Sequence, residues 1–126
     1  MGKVRIGAAG ALVLLLAVAT AHAQRAKQPS ISFQLASLDC RCVPSTATVK
    51  KYQRLLSYLA TRKCKDTPRH LGDMAVVSRR LLREKGVKLT NFQVLQLVNK
   101  SIPNNIGFKQ PCADIFAALV TLIGKR

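Results

Sequence analysis

The chain of 126 residues has no tryptophan, two tyrosines, four phenylalanines and only five acidic residues against 21 lysines and arginines. Each shortage removes a class of function. Five carboxylates leave little from which to build a paired-carboxylate hydrolase or a carboxylate metal centre. Six aromatic side chains, most at positions that read inward, leave few platforms on which nucleic-acid bases would stack. There is no Gly-x-Ser-x-Gly, no glycine-rich phosphate loop and no His-Glu-x-x-His. His70 lies in a polar stretch beside Pro68 and reads as a surface residue, not as a base paired with a nucleophile. The expectation is a protein that is not an enzyme and uses no cofactor and no metal.

What is abundant is positive charge, a formal +16 on a length that suits one domain. Such a balance calls for an anionic partner: nucleic acid, acidic polysaccharide or an anionic membrane surface. The first 23 residues narrow that choice. Lys3 and Arg5 precede an apolar run from Ala8 to Ala21, and Ala21-His22-Ala23 closes it with the small-x-small pattern that signal peptidase reads. The run is shorter than the roughly 20 residues a spanning helix needs. Residues 1–23 are therefore predicted to be a secretory signal peptide. Its removal takes two cations and leaves 103 residues with a formal charge of +14. An extracellular location makes nucleic acid an unexpected partner and a cell surface an expected one.

All four cysteines, Cys40, Cys42, Cys64 and Cys112, fall in the mature part, and an even number in an oxidising compartment predicts two disulfides. A Cys40–Cys42 ring reads as too tight. That leaves two pairings, each tying the Cys-x-Cys pair to both later cysteines. A zinc site lacks Cys-x2-Cys knuckles and has one histidine to draw on.

Hydrophobic spacing predicts a mainly α protein of about four short helices behind an extended N-terminal arm. Residues 24–39 are polar, without helical period, and are expected to form that flexible arm; residues 40–126 form the stapled basic domain. Val49, Tyr52, Leu55, Leu56 and Leu59 recur at three- and four-residue steps after a possible cap at Thr48, predicting a helix to about Lys63. Residues 65–72 read as a loop, with Asp73 capping a second helix that Gly86 ends. Thr90 caps a third, carrying Phe92 to Val98 and stopped by Pro103, although a strand over those seven residues fits the same pattern. The last helix, Ala113 to Ile123, is almost wholly apolar and is expected to be the most buried element.

The basic residues supply the candidate site. Lys50, Lys51 and Arg54 lie on the first predicted helix, and Arg62, Lys63, Lys65 and Arg69 surround Cys64. Arg79, Arg80 and Arg83 form a second group, with Lys85 and Lys88 beyond. Several such cations on a rigid domain contact sulfate or phosphate groups through charge-assisted hydrogen bonds. Asn99-Lys100-Ser101 is an N-glycosylation sequon.

Cys40-Arg41-Cys42 after a short arm, a third cysteine at 64 reached through Gln53-Arg54-Leu55-Leu56-Ser57-Tyr58, and Cys112-Ala113-Asp114 before an apolar terminal segment together resemble the frame of a chemokine. The resemblance implies an α+β fold with a three-stranded sheet and a C-terminal helix, pairing of Cys40 with Cys64 and of Cys42 with Cys112, and a receptor ligand retained by glycosaminoglycan. Between Cys64 and Cys112, where that family has a short strand-turn-strand, this chain has a longer stretch that reads as helix.

That longer stretch is similar to a different family. Tyr52-x-x-Leu55-x-x-Tyr58-Leu59, Thr67-Pro68-Arg69-His70, Leu89-Thr90-x-Phe92 and Leu95-Gln96-Leu97-Val98-Asn99 before Pro103 resemble the helical module of RNA polymerase stalk subunits. That implies a helical polymerase subunit as one alternative function. A host-defence protein that binds or disrupts anionic membranes is another, since cationic helices with apolar faces bind anionic lipid. The leading expectation is a secreted, cytokine-like or chemokine-like ligand that binds a cell-surface receptor and sulfated glycosaminoglycan.

Overall fold

Four short hydroxyl side chains decide where the helices begin. Ser30, Ser45, Thr67 and Thr90 each accept the backbone N–H three residues on, from Phe33, Thr48, His70 and Gln93. Each such cap contributes about 1 kcal/mol. At Thr90 the Gln93 side chain also reaches back to the Thr90 N–H, completing a capping box. The computed structural model describes residues 28–125. It contains five helices: α1 (Ile31–Cys40), α2 (Thr46–Tyr58), α3 (Pro68–Glu84), α4 (Asn91–Ser101) and α5 (Ala113–Ile123). A π turn, Leu59–Lys63, extends α2. Among the described residues there is no strand, only an isolated parallel bridge between Cys64 and Gln110. The mainly helical build is thus as expected, whereas the strand alternative over Phe92–Val98 and the three-stranded sheet are absent from these residues. The predicted leader and residues 24–27 lie outside the described range.

Several boundaries differ from the sequence expectation for identifiable reasons. The supposedly extended arm is helical from Ile31. Ile31, Leu35 and Leu38 do stand at helical steps, a short stripe among polar residues, and α1 turns a narrow face of Ser32, Leu35 and Ala36 inward. The close approach depends on Gly72 of α3, where an added Cβ would stand 2.5 Å from Ile31 Cγ1. Helix α3 starts five residues before Asp73, because Thr67 caps it and Pro68 suits the first helical turn, where no N–H is needed. It ends as expected near Gly86, which takes φ +84°.

Both disulfides exist, but in the pairing that the sequence disfavoured: Cys40 with Cys42 and Cys64 with Cys112. Helix α1 terminates on Arg41 in the left-handed region, φ 54°, with its N–H bonded to Ser37 O. That reversal brings the Cα atoms of Cys40 and Cys42 to 5.1 Å, so the small ring closes. The second bridge is fully buried and joins the end of the π turn to the start of α5.

The core runs through Leu35, Tyr52, Leu56, Leu59, Leu71, Ala75, Val94, Leu95 and Val98. Helix α5 is not its centre. Only Phe116 and Val120 of α5 are buried, and Leu122 is 68% exposed. As the last element laid on the bundle, it packs by one face against α3 and α4. No helix among the described residues is long and apolar enough to cross a membrane.

Candidate functional site

Among the described residues no lysine or arginine is ion-paired with an acid; the only such pair joins His70 Nδ1 to Asp66 Oδ1 at 3.1 Å. Two of the five acids act as internal fasteners. Asp39, at the end of α1, accepts the Tyr52 hydroxyl and the N–H groups of Asn91 and Phe92, which tethers the start of α4. Asp66 accepts the Cys112 N–H at 2.8 Å and lies beside the Cys64–Cys112 bridge. Its neighbouring sulfurs are bonded to each other, so this cluster fastens α5 and is not a free donor set for a metal.

The cations therefore face solvent without local compensation. Lys50, Lys51, Arg54, Arg62 and Lys65 are exposed on α2 and its continuation. Arg69, Arg80 and Arg83 are exposed on α3; Arg79 is half-buried, its guanidinium donating to Leu89 O at 3.1 Å. The two groups lie on different helices, α2 with its continuation and α3. Arg79 serves structure as much as surface.

Lys63 is the clear exception to the predicted site. It is 2% exposed, and its amine donates to Asn99 O and Ile102 O at 2.7 Å each, the carbonyls at the end of α4. Its Nζ also stands 5.5 Å from the Tyr58 ring centroid. Burial pushes this amine below the ordinary lysine value by stripping its hydration. Lys63 is thus a helix-capping cation under the surface and not one of the exposed cations expected at this site.

Above it lies a groove of about 480 Å³ between α2 and α4. From α2 come Lys51, Arg54, Leu55 and Tyr58, at steps of three, four and seven residues along one helical stripe. From α4 come Phe92, Gln96 and Asn99, at steps of four and seven. Phe92 is held from behind by the buried Tyr52, which meets it edge-to-face at 5.2 Å. Asn99 is half-buried, and its Oδ1 is buried with no hydrogen-bond partner. The sequence singled out Asn99 only as a sequon, and Tyr58, Phe92 and Gln96 were not marked for function. The i, i+4, i+7 spacings, 51–55–58 on α2 and 92–96–99 on α4, carry the sequence signal for them.

A second groove, about 540 Å³, runs between α3 and α5. It is mostly apolar, lined by Met74, Val77 and Leu81 from α3 and Phe116, Ala117 and Val120 from α5, with His70 and Asp73 at one end. No family model, curated protein or solved structure matches the chain.

Proposed function

We propose that this protein is a secreted, cytokine-like ligand held at the cell surface by sulfated glycosaminoglycan. The observation that supports the reading best is the imbalance just described: the acids are partly consumed as internal fasteners, while the cations of α2 and α3 face solvent unpaired. Unpaired, exposed guanidinium and ammonium groups on a rigid frame attract sulfate and carboxylate groups, with an affinity that falls as salt rises. Two disulfides suit an oxidising compartment. The receptor-binding part of the reading rests on the chemokine-like spacing of the cysteines, although the bridges here pair differently.

Retention on immobilised heparin tests it against bulk charge. The disulfide-intact protein is expected to elute from heparin at clearly higher salt than from a sulfopropyl exchanger of equal charge density. Equal elution salt on both would contradict recognition of the polysaccharide.

The exposed apolar side chains Val77, Leu81 and Leu122 near the α3–α5 groove favour one second reading, association with anionic membranes. That reading requires co-sedimentation with anionic vesicles and, where the membrane is disrupted, their leakage at low protein concentration.

A further inference from the structure

The two disulfides sit in opposite surroundings. Cys64 and Cys112 are fully buried, and their bridge spans 48 positions. Cys40 and Cys42 are both exposed, and only Arg41 separates them. A bridge of so short a span adds little loop-closure stabilisation, so the fold gives it little protection against reduction. Arg41 carries a backbone cost as well, since it holds φ 54°, a left-handed conformation that side chains larger than hydrogen disfavour. Opening the bridge frees Arg41 to leave that conformation. Exposed bridges are the ones that exchange with thiols, whereas buried ones are structural.

The surface beside the pair offers a place for a partner. Leu38, two residues before Cys40, and Val43, next after Cys42, are 49% and 85% exposed. Leu38 also lines a groove of about 310 Å³ with Pro29, Phe33, Gln34 and Ser37. The Ser37 hydroxyl donates to Cys42 O at 3.0 Å, which joins that groove to the pair. Among the described residues no charged side chain lines it. Such a lining favours aliphatic and aromatic side chains over a charged small thiol.

We propose that Cys40–Cys42 is a thiol–disulfide exchange site that oxidises paired cysteines in an exposed apolar stretch of another polypeptide. A thiolate of the partner attacks Cys40 Sγ; the Cys40–Cys42 bond breaks, a mixed disulfide forms and Cys42 leaves as a thiolate. Cys40 ends α1, where the negative end of the helix disfavours a thiolate, so Cys42 is the better first leaving group. The partner's second thiolate then attacks the partner sulfur of the mixed disulfide, closing the partner's own bridge and expelling Cys40. The partner loses two electrons, the Cys40–Cys42 pair gains them, and the two protons released by the partner end on the two new thiols. Cys40 Sγ lies 3.8 Å from Ser37 O, which accepts the Cys40 thiol proton. This activity is independent of glycosaminoglycan binding.

The test uses the full chain with both disulfides closed, near neutral pH. It is mixed with a reduced peptide holding two cysteines among leucines, or with the same peptide in which serines replace the leucines. Samples taken over time are alkylated, digested and weighed by mass. Cys40 and Cys42 are expected to take up label at least about tenfold faster than Cys64 and Cys112 as the peptide becomes oxidised, with the transient peptide adduct on Cys40. The leucine peptide is expected to react about fivefold faster than the serine peptide, the effect of roughly one partly buried leucine. Substituting both Cys40→Ser and Cys42→Ser should abolish peptide oxidation and leave the Cys64–Cys112 bridge closed. Equal labelling of the two bridges, or peptide oxidation that survives the double substitution, would overturn the exchange site. Equal rates for the two peptides would overturn the assignment of an apolar polypeptide as its partner.

Discussion

The groove between α2 and α4 and the groove between α3 and α5 have similar volumes, about 480 and 540 Å³, and share a largely apolar lining, but only the first carries lysine and arginine. Both are made the same way, from stripes at three- and four-residue steps on two neighbouring helices. The first stripe pair sets ammonium, guanidinium and carboxamide groups among Leu55, Tyr58 and Phe92; the second sets methyl, phenyl and thioether groups beside His70, Asp73, Ser78 and Thr121. The difference shows that backbone architecture sets where a groove lies, while the stripe residues set what it can take. The fastenings differ too. The walls of the α2–α4 groove are held by Asp39 at the start of α4 and by Lys63 at its end. The α5 wall of the apolar groove hangs from the Cys64–Cys112 bridge and the Asp66 contact with Cys112.

The largest expected effect separates these fastenings. Replacing Cys64 and Cys112 with Ser removes a link across 48 positions and should lower stability by about 4 kcal/mol in urea titration, the loop-closure entropy for a ring of that size. Removing Cys40 and Cys42 should cost less than half of that, because their ring spans two positions. The first double variant should also open the apolar groove and increase binding of a hydrophobic dye, while the second should not. Equal losses would mean that the two bridges do the same job.

Next comes Lys63. Lys63→Met keeps the buried stem but strips two carbonyls of α4 of their charged donor, with an expected loss of about 2–3 kcal/mol. The loss should appear in exchange protection at the end of α4 before it appears in α5. The amine also has an alkaline signature. Its folded value lies below 10.5, so between the two values the unfolded chain carries more protons than the folded one, and stability at this site rises with pH across that window. Lys63→Met should lack that rise.

The smallest effect concerns the apolar side. Leu81→Ser with Leu122→Ser touches two exposed residues and should change stability by no more than about 0.5 kcal/mol each, leaving the heparin elution salt unchanged. A fall in elution salt would bring the apolar face into the binding surface and dissolve the contrast between the grooves.

Helices α2, α4 and α5 were legible because their apolar residues repeat at helical steps and Thr90 precedes a Gln at the third position. Lys63 was legible in principle. Tyr52, Leu56 and Leu59 set a stripe whose next member is position 63, so the spacing itself turns that lysine inward, although its charge argues for the surface. Helix α1 was the least legible, since its stripe of Ile31, Leu35 and Leu38 is short and its contact with α3 depends on Gly72, 41 positions after Ile31, leaving room for that side chain. The disulfide pairing depended on one residue's backbone conformation, the left-handed Arg41, which no spacing rule reports. The apolar composition of α5 misled because composition gives a helix's preference for burial, whereas its place at the edge of the bundle decides how many faces are covered. For the site, the cations of α2 stood out as charge, but the groove needed the folded distance between α2 and α4.

If the cations of α2 are the ones that hold a sulfated polymer, position and not net charge alone must set the affinity. Two triple variants test it, since both change net charge by six: Lys50→Glu, Lys51→Glu and Arg54→Glu on α2, and Arg69→Glu, Arg80→Glu and Arg83→Glu on α3. Heparin affinity is measured for each across a range of salt concentrations. The α2 set is predicted to lose at least about tenfold more affinity than the α3 set and to show the shallower salt dependence, as fewer charge contacts remain. Equal losses in both sets would contradict the account and leave net charge alone as the determinant.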